Sequence, residues 1–348
     1  MLPHRVVFAR GEAALAVAAE VEALGASRVM LIASERKAAL ADPIAATVPV
    51  AVRHEEVVMH VPVEVAERAR KVAAEHRVDV LVSVGGGSTT GLAKAVALTT
   101  GLPIIAAPTT YAGSEATSVW GLTQPGPEGG TKTTGVDARV LPASIVYDAS
   151  LLTSLPVQMT VASGLNAMAH CVDSMWGPQV DPIDQALAQE GIRGLAAGLP
   201  AVAVDEASID GIEQTLYGAY LAAVSFASAG SGMHHKICHV LGGMFNLPHA
   251  ETHAIALPHV LAFNAPNAPG AERRIAAAFG SMTATEGLRS LRERLAAPRA
   301  LKDYGMPEDG IAKAVDPILA AVPANNPTPV NADNLAALLR AAWEGDLP

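Results

Sequence analysis

The sequence predicts an α/β N-terminal domain with a Rossmann-like parallel sheet, followed by an all-α C-terminal domain, and three observations carry that expectation. Up to about residue 156, short apolar runs alternate with amphipathic helical runs, the pattern of buried strands joined by helices. A glycine run at Gly85, Gly86 and Gly87 falls between one such strand and the helix after it. Beyond Pro156, strand-like runs give way to long Ala/Leu/Gly-rich stretches of helical period. Domains are therefore expected at 1–156 and 157–348, the first for a dinucleotide and the second for substrate and catalysis.

Taken in order, residues 12–24 predict a helix, the run RVMLIAS at 28–34 a buried strand, 62–77 a second helix and DVLVSV at 79–84 a central strand. The segment GGGSTTGLAKAVALTTG opens a third helix, and strands follow at 103–110 and 143–148. Between these two strands, residues 121–137 are rich in Gly, Pro and Thr and read as a loop or a hairpin over the sheet edge. Helices are then expected at 161–175, 182–195, 209–240, 252–262, 271–279, 286–295, 307–319 and 332–344, with a turn at 323–329 before the last.

Composition narrows the function. Half of the 348 residues are hydrophobic and only 17% are charged, so the chain can bury a substantial core. A net charge of -10 would repel nucleic acid or an anionic membrane, so a small anionic substrate would need a local cationic pocket. Arg5, Arg10, Glu12, Glu20 and Glu22 interrupt the first segment, which therefore reads neither as a signal-peptide core nor as a membrane span, and a cytoplasmic protein is expected. The two cysteines, Cys171 and Cys238, suggest no disulfide framework and read as buried free thiols.

Two loops suit a dinucleotide. After the strand ending at Val84, the backbone N–H groups of Gly85, Gly86, Gly87 and Ser88 are placed to receive a pyrophosphate at a helix N-terminus, although a glycine run alone can be a plain tight turn. Thr109, Thr110 and Ser114 gather hydroxyls beyond the next strand, at the end of a parallel sheet where ligands bind. Glu35, after the strand 28–34, stands where an acidic residue meets the adenosine ribose, where it would repel a 2'-phosphate and favour NADH over NADPH; it reads equally as an exposed loop glutamate.

The stretch MHHKICHVLGGMFNLPHAETHAIALPH holds six of the eleven histidines: His234, His235, His239, His249, His253 and His259. His235 and His239 are four apart, hence on one helical face, and His249 and His253 repeat the spacing after a break at Gly242 and Gly243 and at Pro248. So many titratable groups in an apolar chain are costly to bury and point to a site. Asn166 and His170 share another helical face and complete a plausible inward-facing set with His235, His239 and His249.

GGGS with Lys94 six residues on, TTYAGSE, NAMAH and the H-x3-H-x9-H series occur in the order of the iron-containing (group III) alcohol dehydrogenases, which the chain resembles over nearly its whole length. That resemblance implies a dehydroquinate synthase-like fold and a homodimer. Within the family, NAMAHCVDS, HHKICHVLGG and NLPHAETHAIALPH look most like the maleylacetate reductase branch, whose members act in aromatic-compound catabolism. The family's metal is held by an aspartate and three histidines; the matching positions are Asn166, His170, His235 and His249, so the aspartate is missing. The branch reduces the enone of the dicarboxylate maleylacetate to 3-oxoadipate with NADH or NADPH, and a metal-free site is expected. The resemblance then assigns His170, His235 and His249 to the pocket around the enone and His239 or His253 to proton donation. Asn166 becomes a neutral hydrogen-bonding group, and Lys236 is a candidate for a substrate carboxylate or a residue solvating a helix face. The alternatives are an iron- or zinc-dependent alcohol or aldehyde dehydrogenase of the same family and, more remotely, a noncatalytic nucleotide-binding module.

Overall fold

In a computed structural model, which describes residues 4–124 and 131–348, contacts divide the chain into two units that meet at Leu155 and Pro156. The first unit runs β1 (Arg5–Phe8), α1 (Ala13–Ala23), β2 (Val29–Ile32), α2 (Ala38–Ala45), β3 (Val50–His54), α3 (Val63–Glu75), β4 (Val80–Gly85), α4 (Gly87–Thr100), β5 (Ile104–Pro108), β6 (Val119–Gln124), β7 (Thr131–Val136) and β8 (Ser144–Tyr147). Six strands form one parallel sheet in the order β1-β8-β5-β4-β2-β3. Its central strands β2, β4, β5 and β8 are buried along their whole length, which is why they read as continuous apolar runs rather than alternating ones. The edge strands β1 and β3 are only partly buried, and their weak apolar signal hid them from the sequence pattern.

Met30, Leu81, Ile104, Leu92 and Val65 pack in a core between the sheet and helices α3 and α4, each such side chain contributing about 1.5–3 kcal/mol. The carboxylate of Asp148, just past β8, accepts from the N–H groups of Gly11 and Ala13 at 2.8 Å and so caps α1, which has no cap of its own. β6 and β7 form an antiparallel hairpin over the stretch expected as a loop or hairpin. It packs on α4 and, through the Pro62–Thr123 bridge, on the segment before α3; residues 125–130 lie outside the described residues.

The second unit is helical among its described residues: α5 (Val157–Ser174), α6 (Pro182–Val204), α7 (Ile209–Ala229), α8 (Met233–Phe245), α9 (His249–Asn264), α10 (Pro269–Phe279), α11 (Ala284–Arg294), α12 (Gly310–Ala321) and α13 (Ala332–Glu344). α5 is buried continuously from Gly164 to Ser174 and packs on α6, α7 and α9. α6 and α7 approach at backbone distance, since a Cβ on Gly198 would lie 2.6 Å from the Thr215 nitrogen and one on Gly218 2.8 Å from the Gly191 oxygen.

Three boundaries differ most from expectation. The helix expected over 209–240 is two helices, because Gly230 adopts φ 79° and ends α7 before α8 begins. Gly242 and Gly243, expected as a break, lie inside α8, which ends instead at Asn246 in the left-handed conformation, φ 51°. Pro248 then precedes α9. α6 also continues past residue 195 through Pro200, for its buried face at Leu199 and Val202 outweighs the lost hydrogen bond.

Candidate active site

The short turn from Asn246 to Pro248 folds α9 back on α8, and this brings the two histidine pairs together. Ring centroids lie 4.3 Å apart for His249 and His253, 4.8 Å for His235 and His253, 6.0 Å for His235 and His239, and 6.3 Å for His239 and His249. His170, on α5, stacks on His235 at 4.9 Å, and Phe226 of α7 lies against both, at 4.7 Å from His170 and 4.1 Å from His235. The cluster is graded in exposure: His239 and His249 are exposed, whereas His170, His234, His235 and His253 are buried. Solvent therefore reaches the first two directly.

His234, to which the sequence pattern assigned no role, sits at the centre, with Nε2 3.0 Å from His253 Nδ1 and Cys238 Sγ 3.7 Å away. Burial, reinforced by the neighbouring imidazoles, pushes His234 down to about 3 and His170 to about 4, and holds His235 and His253 well below their ordinary value. Both cysteines are buried thiols, as expected. His259 is not part of the cluster: it is buried on the far stretch of α9, where Arg292 and Asp346 act on it electrostatically. Lys236 follows His235 on α8, is half-buried, and acts on Asp173 electrostatically.

Asp173 escaped the sequence reading altogether. It lies three residues beyond His170 on α5, is fully buried, and holds His235 Nδ1 at 2.8 Å. The available signal was its spacing from His170, but one acid on an apolar helix predicts no partner 62 residues away. Asn166 is buried with its Oδ1 unpartnered, and His170 Nδ1 and His235 Nε2 also lack hydrogen-bond partners among the described residues. Such unpaired polar atoms mark a place where a ligand can be received.

The family's metal would fall to Asn166, His170, His235 and His249, a set in which three histidines remain but Asn166 replaces the carboxylate charge of the family's aspartate. All four are neutral donors, and the acid at hand, Asp173, is already engaged: its Oδ2 lies 2.8 Å from His235 Nδ1 and accepts from the Gly232 N–H. The ring nitrogens that lie within 4.8 Å of one another belong instead to His234, His235 and His253, and two of these rings are hydrogen-bonded to each other.

In the first unit, β2 is followed by β3 toward one edge, whereas β4 lies on its other side and leads to β5, so the sheet's order reverses between β2 and β4. The expected dinucleotide residues sit at the C-terminal ends of these strands: Glu35 after β2, Gly85 to Ser88 at the β4–α4 turn, and Thr109 and Thr110 after β5. The Thr109 N–H donates to the Gly85 oxygen at 3.0 Å, tying the two turns together. A Cβ on Gly86 would meet the Thr110 side chain at 3.0 Å, while one on Gly87 would meet only Ala112, at 3.5 Å. The buried hydroxyls of Thr109, Thr110 and Tyr111 have no hydrogen-bond partner among the described residues, so the cradle has donors to spare for a phosphate or ribose. Glu35 is exposed.

Ser114 is held through its backbone. Lys94, fully buried, donates to the carbonyls of Ser114, Thr117 and Val119 at 2.5, 2.7 and 2.8 Å, which fixes the loop after β5. Burial pushes Lys94 down to about 7, opposed by the nearby Glu115 carboxylate, and Glu115 in turn accepts from Tyr147 Oη at 2.8 Å.

A glycine cradle at the switch point of a parallel sheet, and a helical unit carrying a buried imidazole cluster, define the class as an oxidoreductase of the iron-containing alcohol dehydrogenase type. Family models agree: residues 3–149 match the iron-containing alcohol dehydrogenase model and residues 160–343 the Fe-containing alcohol dehydrogenase C-terminal model, so the chain belongs to this family. Over 347 residues it is 43% identical to maleylacetate reductase of Burkholderia cepacia, covering 99% of this chain and 97% of that one. It is 45% identical to maleylacetate reductase 2 of Cupriavidus pinatubonensis, covering 99% and 96%. Among solved structures it is similar to an iron-containing alcohol dehydrogenase from Corynebacterium glutamicum, with TM-score 0.96, 60% identity and coverage of 99% and 96%. It is also similar to the maleylacetate reductase from Agrobacterium tumefaciens, with TM-score 0.94, 38% identity and coverage of 100% and 98%.

Proposed function

We propose that the protein is a maleylacetate reductase that uses NADH and works without a resident metal. The observation that carries this reading is the neutral, buried Asn166 beside an imidazole cluster whose free nitrogens can serve an oxyanion without a Lewis acid. The full-length identity to relatives named maleylacetate reductase supports the substrate.

Maleylacetate is an enone flanked by two carboxylates, and the bound dinucleotide supplies the hydride that adds to the alkene carbon conjugated with the ketone. Negative charge then develops on the ketone oxygen, and one proton must reach the adjacent carbon to give 3-oxoadipate. His170, His235 and His249 form the pocket around the enone and stabilise the enolate by hydrogen bonding, with the Asn166 amide as a neutral partner. His239 is the better of the two proton donors: it is exposed and exchanges protons with solvent, while His253 is buried with Nδ1 bonded to His234. Lys236 meets a substrate carboxylate and supplies the local positive charge that a chain of net charge -10 needs to hold a dianion. Gly85, Gly86, Gly87 and Ser88 cradle the pyrophosphate, Thr109, Thr110 and Ser114 line the same sheet edge, and Glu35 selects NADH by repelling a 2'-phosphate.

The test is NADH oxidation with maleylacetate against a panel of alcohols and aldehydes, each with and without chelator. Fast, chelator-insensitive turnover of maleylacetate supports the reading, and activity confined to alcohols and lost on chelation overturns it. A metal-dependent alcohol dehydrogenase is the second reading, favoured by the 60% identity to the Corynebacterium glutamicum structure of that description. A cytoplasmic homodimer completes the proposal; no described helix is long and apolar enough to cross a membrane.

A further inference from the structure

We propose that Lys94 and Glu115 are positioning residues for the cofactor, holding residues 109–118, the loop between β5 and β6, in its binding conformation before the dinucleotide arrives. The inference rests on the reading of the Gly85–Ser88 turn as the pyrophosphate site. Neither residue belongs to that turn, and both are buried away from it, Lys94 at 0% and Glu115 at 2% exposure.

The start of the loop lies against the turn. The Thr109 N–H donates to the Gly85 oxygen at 3.0 Å, a Cβ on Gly86 would meet the Thr110 side chain at 3.0 Å, and one on Gly87 would meet Ala112 at 3.5 Å. The chain then turns at Gly113, φ 75°, into the short 3-10 turn Ser114–Ala116, which has no strand partner to fix it. Lys94 supplies the anchor. It sits two turns inside α4, and its Nζ donates to the oxygens of Ser114, Thr117 and Val119 at 2.5, 2.7 and 2.8 Å. Three carbonyls at these distances take one N–H each, and only the ammonium has three, so the fold holds Lys94 charged although burial favours the neutral amine. Three bonds from one rigid helix to three points of an irregular segment fix its place as well as its shape. On the other side, Glu115 accepts from Tyr147 Oη at 2.8 Å, and its carboxylate favours the Lys94 ammonium. The loop that follows β5 is thus tied to the helix after β4 and to β8, and β4 and β8 are the two neighbours of β5 in the sheet. Fixing a flexible segment costs conformational entropy, and a segment already fixed in the free protein removes that cost from binding. The unpaired hydroxyls of Thr109 and Thr110 are then in place when the dinucleotide binds.

A packing role alone lowers stability and leaves the affinity of folded protein unchanged; a positioning role weakens binding by protein that is fully folded. NADH binding to wild type, K94A and Y147F is measured by fluorescence titration at a temperature where circular dichroism shows each to be folded, with Tm recorded separately. Kd is expected to rise about tenfold or more in K94A, which loses all three anchoring bonds, and about threefold in Y147F, which keeps the ring and loses the hydroxyl bonded to Glu115. Hydrogen exchange without NADH is expected to speed up at residues 114–119 in both variants, while the Gly85–Ser88 turn exchanges as in wild type. An unchanged Kd in folded K94A, or a raised Kd with unchanged exchange at residues 114–119, would overturn the proposal. If K94A does not fold, Y147F decides by the same two readings. Wild type that binds no NADH refutes the reading of the turn itself, whereas wild type and variants that bind NADH equally well refute the positioning roles alone.

Discussion

His234 Nε2 and His253 Nδ1 lie 3.0 Å apart where neither ring is open to solvent. One ring must donate and the other accept, so the bond exists only while at least one is neutral. Burial acts in the same direction, holding His234 and His170 at about 3 and about 4 against 6.5 in the unfolded chain, with His235 and His253 also lowered. Above pH 6.5 neither state takes up these protons. As pH falls from 6.5 toward 4, the unfolded chain binds protons that the folded one refuses, and stability is lost. Tm measured across this window should fall steadily, and less steeply in His234→Gln. A flat Tm would show that these imidazoles are not neutral in the fold.

Pro258 removes the N–H that would have bonded to the Ala254 carbonyl inside α9, and Arg292 of α11 donates to that carbonyl in its place, with Nη2 on the Pro298 oxygen at 2.6 Å. Arg292→Met should therefore cost about 1–3 kcal/mol in denaturant unfolding by leaving a buried carbonyl unpaired. Pro258→Ala restores the helix N–H, so the double variant should lose less than the sum of the two single losses. Strict additivity would mean that Arg292 does not answer the proline.

The glycines of the dinucleotide turn separate fold from binding. A methyl at Gly85 would meet Thr89 Oγ1 at 2.2 Å, so Gly85→Ala should destabilise the first unit by about 1–3 kcal/mol. At Gly87 the nearest atom is Ala112 Cβ at 3.5 Å, so Gly87→Ala should keep its Tm while Gly87→Val weakens NADH binding about tenfold or more by crowding the phosphates. Fluorescence titration with NADH reads this directly. Unchanged NADH affinity in folded Gly87→Val removes the site.

Asn166→Asp adds the missing carboxylate at nearly constant volume. Calorimetry should show Zn2+ and Fe2+ bound more tightly than by wild type, because a charged oxygen joins the neutral imidazoles. Maleylacetate reduction should fall at the same time, as a cation engages the rings proposed to serve the enolate. Tight metal binding by wild type, with activity lost on chelation, would transfer the assignment to the metal-dependent dehydrogenase.

A mono-ester of maleylacetate should react with kcat/KM lowered by about one to two decades, since a charge-assisted hydrogen bond contributes about 1.5–3 kcal/mol. Lys236→Met should narrow the gap between acid and ester. Equal rates for both substrates in wild type would show that no cationic carboxylate pocket operates.

The sequence by itself determined the class of fold and the chemistry to look for. Buried central strands such as β4 and β5 are continuous apolar runs, and the glycine turn after β4 and the paired histidine spacings are local patterns that need no partner to be read. The partly buried edges β1 and β3 left too little hydrophobic signal, and the break at Gly230 was masked by helical periodicity on both sides. The tertiary structure alone decided which histidines belong together. His259 shares α9 with His253 yet lies among other partners, while His234 joins His253 across the turn. Asp173 meets His235 only because α5 runs beside the start of α8, a contact between residues 62 apart. Helical period tells which face a residue occupies, but the neighbour that face meets is set by packing of whole helices, and packing decides which nitrogens are paired, buried or open.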